Sequence, residues 1–359
     1  MAGNREGGRL VYADLMRVAA MLAVIVIHVS AGWLESLPVG TADWHALNLW
    51  DSLTRWAVPV FVMCSGMFLL DPKKSLSLPT LFFRYFLRMV AALLFWGTVY
   101  HLLYDFLGGT LSLESLPHAL YAVVLGNTET HLWFLTMMMG LYLLTPLLRA
   151  FLRGASRGDL HWFFLLYGLF MLVLPLFLRL RGSQTVTLYA NQFYLNFTLA
   201  FPPLAYVGYF VAGYYLKTYT LGRIAEGLIY LLGIAGAVAT AAGTTLLSHR
   251  AGGLDVTLYS YLTPNVAAMA VAVFVLFRYV LGISDERSRK GRVSGMAECG
   301  FGVYLSHVIF LILLRHFGLS APPIPAAVAV PLLTLVLFLP SYVLSWLLHK
   351  LPVVGRYLT

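Results

Sequence analysis

Long apolar runs separated by short polar segments occupy almost the whole chain. A helix needs about 20 mostly apolar residues to cross a hydrocarbon core about 30 Å thick, and ten runs approach that length. The pattern therefore predicts an all-α polytopic membrane protein with about ten transmembrane helices. The predicted spans are 15–34, 53–70, 82–106, 131–150, 161–180, 194–216, 227–247, 257–281, 298–318 and 326–348.

The composition agrees with this pattern. Of the 359 residues, 60% are hydrophobic and only 11% are charged, which is more apolar sequence than a soluble domain of this size requires. No loop is long enough to form a second folded domain, so residues 1–359 are one predicted integral-membrane domain. The first apolar run is long and carries Arg17 and His28, and we expect a retained helix there rather than a signal peptide.

The basic residues behind the net charge of +9 concentrate in alternate loops. Cytoplasmic loops of membrane proteins carry an excess of lysine and arginine, so this distribution predicts that both chain ends lie in the cytoplasm. Because topology accounts for the charge, we expect no nucleic-acid partner. The predicted inner segments hold Arg5, Arg9, Lys73, Lys74, Arg149, Arg153, Arg157, Lys217, Arg223, Arg287, Arg289, Lys290, Arg292, Lys350 and Arg356. The predicted outer segments hold Arg55, Arg179, Arg181, Arg250 and Arg315.

Two predicted outer connections, 35–51 and 107–130, are longer than the others. Leu116, Leu120 and Val123 recur at helical spacing in the second of them, which favours a short interfacial helix. Either connection is long enough to cover an outward-facing pocket.

The first predicted helix carries an arginine and a histidine with ten residues between them, Arg17 and His28. Eleven residues advance a helix by about 16 Å and three turns, so both side chains lie on nearly the same face, and Asp14 joins it. Ionisable groups at membrane depth are costly and indicate a reaction or transport path. His28 suits a general base, although a histidine hydrogen-bonded between helices is the structural alternative. We expect Asp14 to hold Arg17 in place, and we group it with His28 as the catalytic set.

The third predicted helix begins with a second basic feature, Arg84 and Arg88. Their i,i+4 spacing places both guanidinium groups on one helix face, and such forks suit a phosphate-rich ligand. Anchoring of the topology by snorkelling arginines is the alternative. Arg17 favours the first interpretation, because it is predicted at the same level and would let three guanidinium groups converge on one anionic ligand.

Three further residues are candidate substrate-binding groups: His131 and Trp133 at the start of the fourth helix, and His307 in the ninth. A histidine and a tryptophan at the outer interface are also typical of an aromatic belt. In the second helix, the stretch from Pro59 to Gly66 predicts a kink and close helix packing.

The chain contains no phosphate-binding glycine loop, no Gly-x-Ser-x-Gly nucleophile elbow and no His-Glu-x-x-His metal motif. Cys64 and Cys299 support neither a disulfide framework nor a zinc site, and we read them as small apolar residues. We therefore predict no bound metal.

Taken together, these residues resemble the integral-membrane acyltransferase-3 family, which acylates bacterial surface glycans and related molecules. The likeness is spread over most of the chain and is closest to the short, stand-alone branch that O-acetylates polysaccharides such as enterobacterial common antigen. The third-helix arginines of the family are often closer together than Arg84 and Arg88. The matching features are Asp14, Arg17 and His28; Pro59 to Gly66; Arg84 and Arg88; His131 to Leu135 with Tyr142, Thr145 and Pro146; and Tyr304 to His307.

The resemblance implies transfer of an acetyl or other small acyl group from cytoplasmic acyl-CoA to a hydroxyl of a surface or lipid-linked glycan outside the bacterial inner membrane. We expect Arg17, Arg84 and Arg88 to bind the CoA phosphates and His28 to deprotonate the acceptor hydroxyl. An acyl-His28 intermediate is the mechanistic alternative. A membrane exporter of a glycan or small anion is the alternative function, with the same arginines guiding its substrate.

Overall fold

The computed structural model describes residues 10–181, 203–281, 292–319, 321–352 and 354–359. All regular secondary structure within these ranges is helical. The helices are α1 Val11–Leu34, α2 Ala42–Thr54, α3 Ala57–Leu69, α4 Leu78–Leu107, α5 Ser115–Val124, α6 Thr130–Gly154, α7 Arg157–Arg181, α8 Pro203–Thr218, α9 Arg223–Ala251, α10 Pro264–Tyr279, α11 Arg292–His316, α12 Ala326–His349 and α13 Val354–Leu358.

The prediction of an all-α polytopic membrane protein is confirmed. The described residues contain 9 segments that are long and apolar enough to cross a membrane, and these coincide with nine of the predicted spans. The predicted span 194–216 is represented by α8, while its first part, 194–202, lies outside the described residues. The basic side chains of Arg5, Arg9, Arg287, Arg289, Lys290, Arg292 and Arg356 also lie outside them. The cytoplasmic placement of both chain ends stays a prediction.

Helix α1 lies at the centre of the bundle, in contact with α2, α3, α11 and α12. Its side chains alternate between two apolar clusters: Ala20 and Val24 belong to one, and Met21 and Ile25 to the other. By contrast, α7 and α9 expose long apolar side chains along much of their length. This is the arrangement expected where lipid replaces water, because apolar side chains facing lipid carry no hydration cost. Arg17 and His28 are thus carried by a helix that is largely enclosed by protein.

Helices α3 and α8 approach each other closely because both carry glycine at the contact. A Cβ atom on Gly66 would lie 1.8 Å from the carbonyl oxygen of Phe210, and one on Gly213 would lie 1.9 Å from the carbonyl oxygen of Met63. The predicted close packing of the Pro59 to Gly66 segment is confirmed. Small residues of this kind let helix backbones meet in membranes.

The break between α2 and α3 falls at Arg55 and Trp56, just before Pro59. A proline ring clashes with the carbonyl group four residues earlier, which here belongs to Arg55. Helix α2 covers most of the first long outer connection and continues into α3, so the predicted second span has a helical extension on its outer side. This junction fixes the position of Arg55 at the outer half of the bundle.

The second long outer connection contains the predicted short helix, α5. It packs along α4, with Val123 against Gly97, whereas Leu116 and Leu120 are exposed. At the other end of α4, residues Leu81–Phe86 form a π-helical turn rather than the uniform α-helix expected from sequence. Arg84 lies within that turn and Arg88 follows it.

Candidate active site

Three histidines from three helices meet in the outer half of the bundle. The ring centroid of His28 on α1 lies 4.9 Å from that of His307 on α11 and 5.9 Å from that of His131 on α6. The rings of His131 and His307 are 5.4 Å apart. His131 and His307 are buried, and His28 is half-buried. The structure thus brings together three predicted site residues that are far apart in the sequence.

The hydrogen bonds of this histidine cluster assign the proton on two of the rings. His28 Nδ1 lies 2.9 Å from the carbonyl oxygen of Val24, and His307 Nδ1 lies 2.7 Å from that of Tyr304. A carbonyl oxygen only accepts, so Nδ1 carries the proton in each ring and Nε2 presents its lone pair. Nε2 of His307 and both ring nitrogens of His131 are buried with no hydrogen-bond partner among the described residues. Buried polar atoms without a partner are rare and indicate a functional site.

Two tyrosines hold the histidine cluster together. The Tyr304 hydroxyl donates to the main-chain carbonyl of His131, and the Tyr100 hydroxyl donates to that of Leu305 at 2.7 Å. The Tyr100 ring also lies edge-on to His131, with centroids 5.2 Å apart. These bonds tie α4 and α6 to α11, so the two helices that carry His131 and His307 are held together by cross-helix hydrogen bonds. Sequence reasoning did not identify Tyr100.

Arg17 lies at the inner half of α1 and faces protein. Its guanidinium is 3.7 Å from the Asp14 carboxylate, as expected, and 4.9 Å from the centroid of Phe68 on α3. It is also a hydrogen-bonding neighbour of the Cys64 thiol. The side chain keeps 36% of its surface exposed, so the contacts hold its direction without enclosing it. Asp14, which is buried, positions Arg17 and lies far from His28 along the helix.

Arg88 and Arg84 differ in their surroundings. Arg88 is half-buried, lies 4.8 Å from the centroid of Phe301, and donates to the main-chain oxygen of Thr359, which α13 brings against α4. Its Nε is buried with no hydrogen-bond partner in the described part of the chain. Arg84 is exposed beside the ring of Tyr85 and interacts electrostatically with Arg88. The two arginines therefore belong to one basic site, with Arg88 at its inner wall.

Tyr142 on α6 connects the arginines of α1 and α4. Its hydroxyl interacts electrostatically with both Arg88 and Arg17, and its ring lies 5.8 Å from that of Tyr85. Arg17 and His28 are 11 positions apart on α1, as are Tyr142 and His131 on α6, and Arg88 and Tyr100 are 12 positions apart on α4. At a rise of 1.5 Å per residue, these separations place the first residue of each pair about 16 to 18 Å inward of the second. We call the inner group, Arg17, Arg84, Arg88 and Tyr142, the basic layer, and the outer group, His28, His131, His307 and Tyr100, the histidine layer.

A buried ion pair lies on the outer side of the histidine cluster, and sequence reasoning missed it. Arg55 Nη2 donates to Asp51 Oδ2 at 2.7 Å, and Arg55 Nε pairs with the other carboxylate oxygen. Arg55 and Arg315 both interact electrostatically with His28. The i,i+4 spacing of an aspartate and an arginine at the edge of a predicted span was the available signal.

Trp133, the last predicted site residue, packs against Tyr261, whose ring also lies 6.0 Å from the Arg55 guanidinium. Its ring stacks on Tyr261 with centroids 6.0 Å apart and contacts Tyr206 at 5.5 Å. Within the described residues, no group of histidine, cysteine, aspartate and glutamate side chains is arranged to hold a metal ion.

The sequence profile of one protein family, Acyl_transf_3, described as an acyltransferase domain, matches residues 10–350. No curated protein and no solved structure matches the chain. The matched region contains every residue of the basic and histidine layers but not the Thr359 oxygen that contacts Arg88.

Proposed function

The chain belongs to this acyltransferase family, and from that premise we propose that it carries a short acyl group across the bacterial cytoplasmic membrane. In this proposal, acyl-CoA, most simply acetyl-CoA, binds from the cytoplasmic side. Its acyl group is transferred to a hydroxyl of a surface or lipid-linked glycan on the outer side. One observation supports it above the others: α1, α4 and α6 each contribute both to the inner basic layer and to the outer histidine layer.

The inner layer supplies the donor site. Arg17 and Arg88 flank Tyr142, and Arg84 lies beside Arg88 at the exposed edge. Guanidinium forks stay charged at physiological pH and donate paired hydrogen bonds to phosphate oxygens, so they suit the phosphates of CoA. With the phosphates held here, the extended pantetheine arm points outward between the helices and delivers the thioester to the histidine layer.

The outer layer supplies the base. With its Nδ1 proton donated to Val24, His28 offers the Nε2 lone pair. Nε2 removes the proton from the acceptor hydroxyl, and the oxygen attacks the thioester carbonyl carbon. The C–S bond then breaks, and the departing CoA thiolate takes the proton back from the imidazolium. The products are an acyl ester and free CoA thiol, and the histidine returns to its starting state.

His131, His307 and Trp133 are the proposed substrate-binding groups around this base. His131 and His307 place ring nitrogens beside His28 that have no hydrogen-bond partner in the described part of the chain, where they are available to hydrogen-bond the acceptor or the thioester carbonyl. Oriented polar groups in a site shielded from water stabilise charge that develops in the transition state. Trp133 closes the outer side of the cluster through its stacking on Tyr261.

The test is release of free thiol from acetyl-CoA by the purified protein supplied with glycan acceptors. We expect His28→Ala to lower kcat by about 10²- to 10⁴-fold, the usual contribution of a general base, with acetyl-CoA binding retained. His118→Ala is the matched control, because His118 is exposed on α5, and it should keep wild-type turnover. Full activity in His28→Ala would remove the catalytic assignment. A wild-type protein that moves glycan without consuming acyl-CoA would indicate the exporter instead.

A further inference from the structure

A cavity of about 430 Å³ lies about one helical turn from His28 along α1, where Ala31 lines it. We propose that this outer cavity binds the acceptor as an uncharged sugar ring, an assignment that rests on the proposed acyl transfer. Ala31 and Leu34 form its α1 wall, and His28 lies three residues before Ala31 on the same helix face. A sugar in the cavity would therefore present a hydroxyl toward the imidazole one turn deeper. The volume lies within the range of about 300–1,000 Å³ typical of small-molecule sites.

One wall of the outer cavity is a guanidinium held in a fixed orientation. Asp51 is fully buried, accepts a hydrogen bond from Arg55 Nη2 and lies in ion-pair contact with Arg55 Nε, while the Arg55 side chain keeps 13% of its surface exposed. The guanidinium also lies 4.3 Å from the centroid of Tyr259 and 6.0 Å from that of Tyr261. Arginine has more N–H donors than the one whose hydrogen bond Asp51 accepts, so the remainder of the fork is a rigid hydrogen-bond donor for sugar hydroxyls.

Tyrosine rings form the rest of the wall. Tyr206, Tyr259 and Tyr261 line the cavity, and Trp133 supports Tyr206 and Tyr261 from behind. The Tyr259 hydroxyl donates to Asn48 at 2.6 Å, which fixes the direction of that ring. Aromatic side chains combine an apolar face with a polar edge, and they match a sugar ring, whose C–H faces are apolar and whose rim is polar.

The charges of the lining do not favour an anionic ligand. Glu35 and Asp51 supply two carboxylates, and Arg55 and Arg179 supply two guanidinium groups, so the lining is neutral in sum. Asp51 already neutralises Arg55, and Glu35 balances the charge of Arg179, so a phosphate or carboxylate would gain no net attraction to offset the loss of its hydration. A neutral polyol loses less hydration on entering.

The experiment measures binding of methyl glycosides to the full-length protein in detergent by saturation-transfer NMR, without acetyl-CoA. A panel of glucose, galactose, rhamnose and N-acetylglucosamine glycosides serves as the probe. We expect at least one glycoside to bind the wild-type protein. Tyr261→Leu should raise the Kd of that glycoside by about fivefold or more, because the aromatic face is lost. Arg55→Lys keeps the positive charge but loses the guanidinium fork, and it should weaken binding of the same glycoside. Tyr121→Leu, at a tyrosine 66% exposed on α5, should leave binding unchanged.

The outcomes separate this inference from the proposed function. The cavity assignment would be overturned if Tyr261→Leu and Arg55→Lys both bound the glycoside with the wild-type Kd. It would also be overturned if the wild-type protein bound none of the glycosides. Displacement of the glycoside by phosphatidylglycerol at equal concentration would assign the cavity to a lipid headgroup and would also overturn it. A glycoside that binds through Tyr261 but never gains an acetyl group would leave the cavity intact and contradict acyl transfer alone.

Discussion

Single residues show why charge alone does not reveal the role of an arginine. Arg149 is buried and donates to the carbonyl oxygens of Leu69, at 2.8 Å, and Lys74, so it completes the end of α3 and is structurally satisfied. Arg88 retains a buried Nε without a partner in the described chain, and Arg17 stays partly exposed. Both types lie near the predicted cytoplasmic face. Only the contacts distinguish the arginine that caps a helix from the arginines available to an anion.

Replacing Arg88 by glutamine tests its role in donor binding. Loss of a charge-assisted contact costs about 1.5–3 kcal/mol, which predicts a rise of about 10- to 100-fold in the KM for acetyl-CoA, with little change in kcat. Arg84→Gln should have a smaller effect, because Arg84 is exposed. Arg153→Gln, at an exposed inner arginine of α6, is the control and should behave as wild type. Unchanged donor kinetics in Arg88→Gln would indicate that Arg88 serves only as a topology anchor.

The sequence predicted pairs of residues within one helix but did not predict that the histidines of three helices would meet. Arg17 and His28 share a face of α1, as helical periodicity required, and Asp14 contacts Arg17 as expected. His131 and His307 were each identified as candidates, yet their meeting with His28 depends on how α6 and α11 pack, which no local pattern encodes. Arg55 was interpreted only as an outer basic residue. An arginine that anchors a span at the membrane surface and an arginine in a buried ion pair can occur in the same local sequence, so the sequence did not distinguish the two roles.

At the scale of elements, the contact between α3 and α8 sets the spacing of the bundle. Gly66 and Gly213 each face the backbone of the other helix, and α3 carries both Cys64, beside Arg17, and Phe68, under its guanidinium. Because α3 begins at the Arg55 junction and ends near Arg17, it spans both layers of the site. Separating α3 from α8 would therefore disturb the arginines and the histidine cluster together.

The substitution Gly66→Ala tests this contact. The added Cβ would lie 1.8 Å from the Phe210 carbonyl oxygen, so the helices must move apart, and overpacking of this kind costs about 1–3 kcal/mol. We expect a lower thermal unfolding midpoint in detergent. The matched control is Gly227→Ala on the exposed face of α9, where a Cβ meets nothing within 4 Å and alanine favours the helix. Equal midpoints for the two variants would show that the close approach is not required for stability.

At the scale of the whole molecule, the arginines and the histidines of the site lie at different depths in the bundle. The guanidinium groups of Arg17, Arg84 and Arg88 lie at the inner level, and the imidazoles lie farther out. The outer cavity lies beyond the imidazoles, on the side away from the guanidinium groups. The spans and their apolar exteriors were predictable, because lipid imposes length and hydropathy on each helix. The enclosure of α1 by its neighbours was not predictable from hydropathy, since α1 and the exposed helix α7 have similar mean hydropathies of 2.0 and 2.2.

The measurement that tests the central claim most directly is the sidedness of transfer. Inverted membrane vesicles expose the cytoplasmic face, so they are loaded with a methyl glycoside and given radiolabelled acetyl-CoA outside. We predict labelled glycoside in the lumen, none with His28→Ala, and none in right-side-out vesicles given both substrates outside. Label appearing on glycoside that shares the acetyl-CoA compartment, and not on glycoside across the membrane, would contradict an inner donor site joined to an outer imidazole.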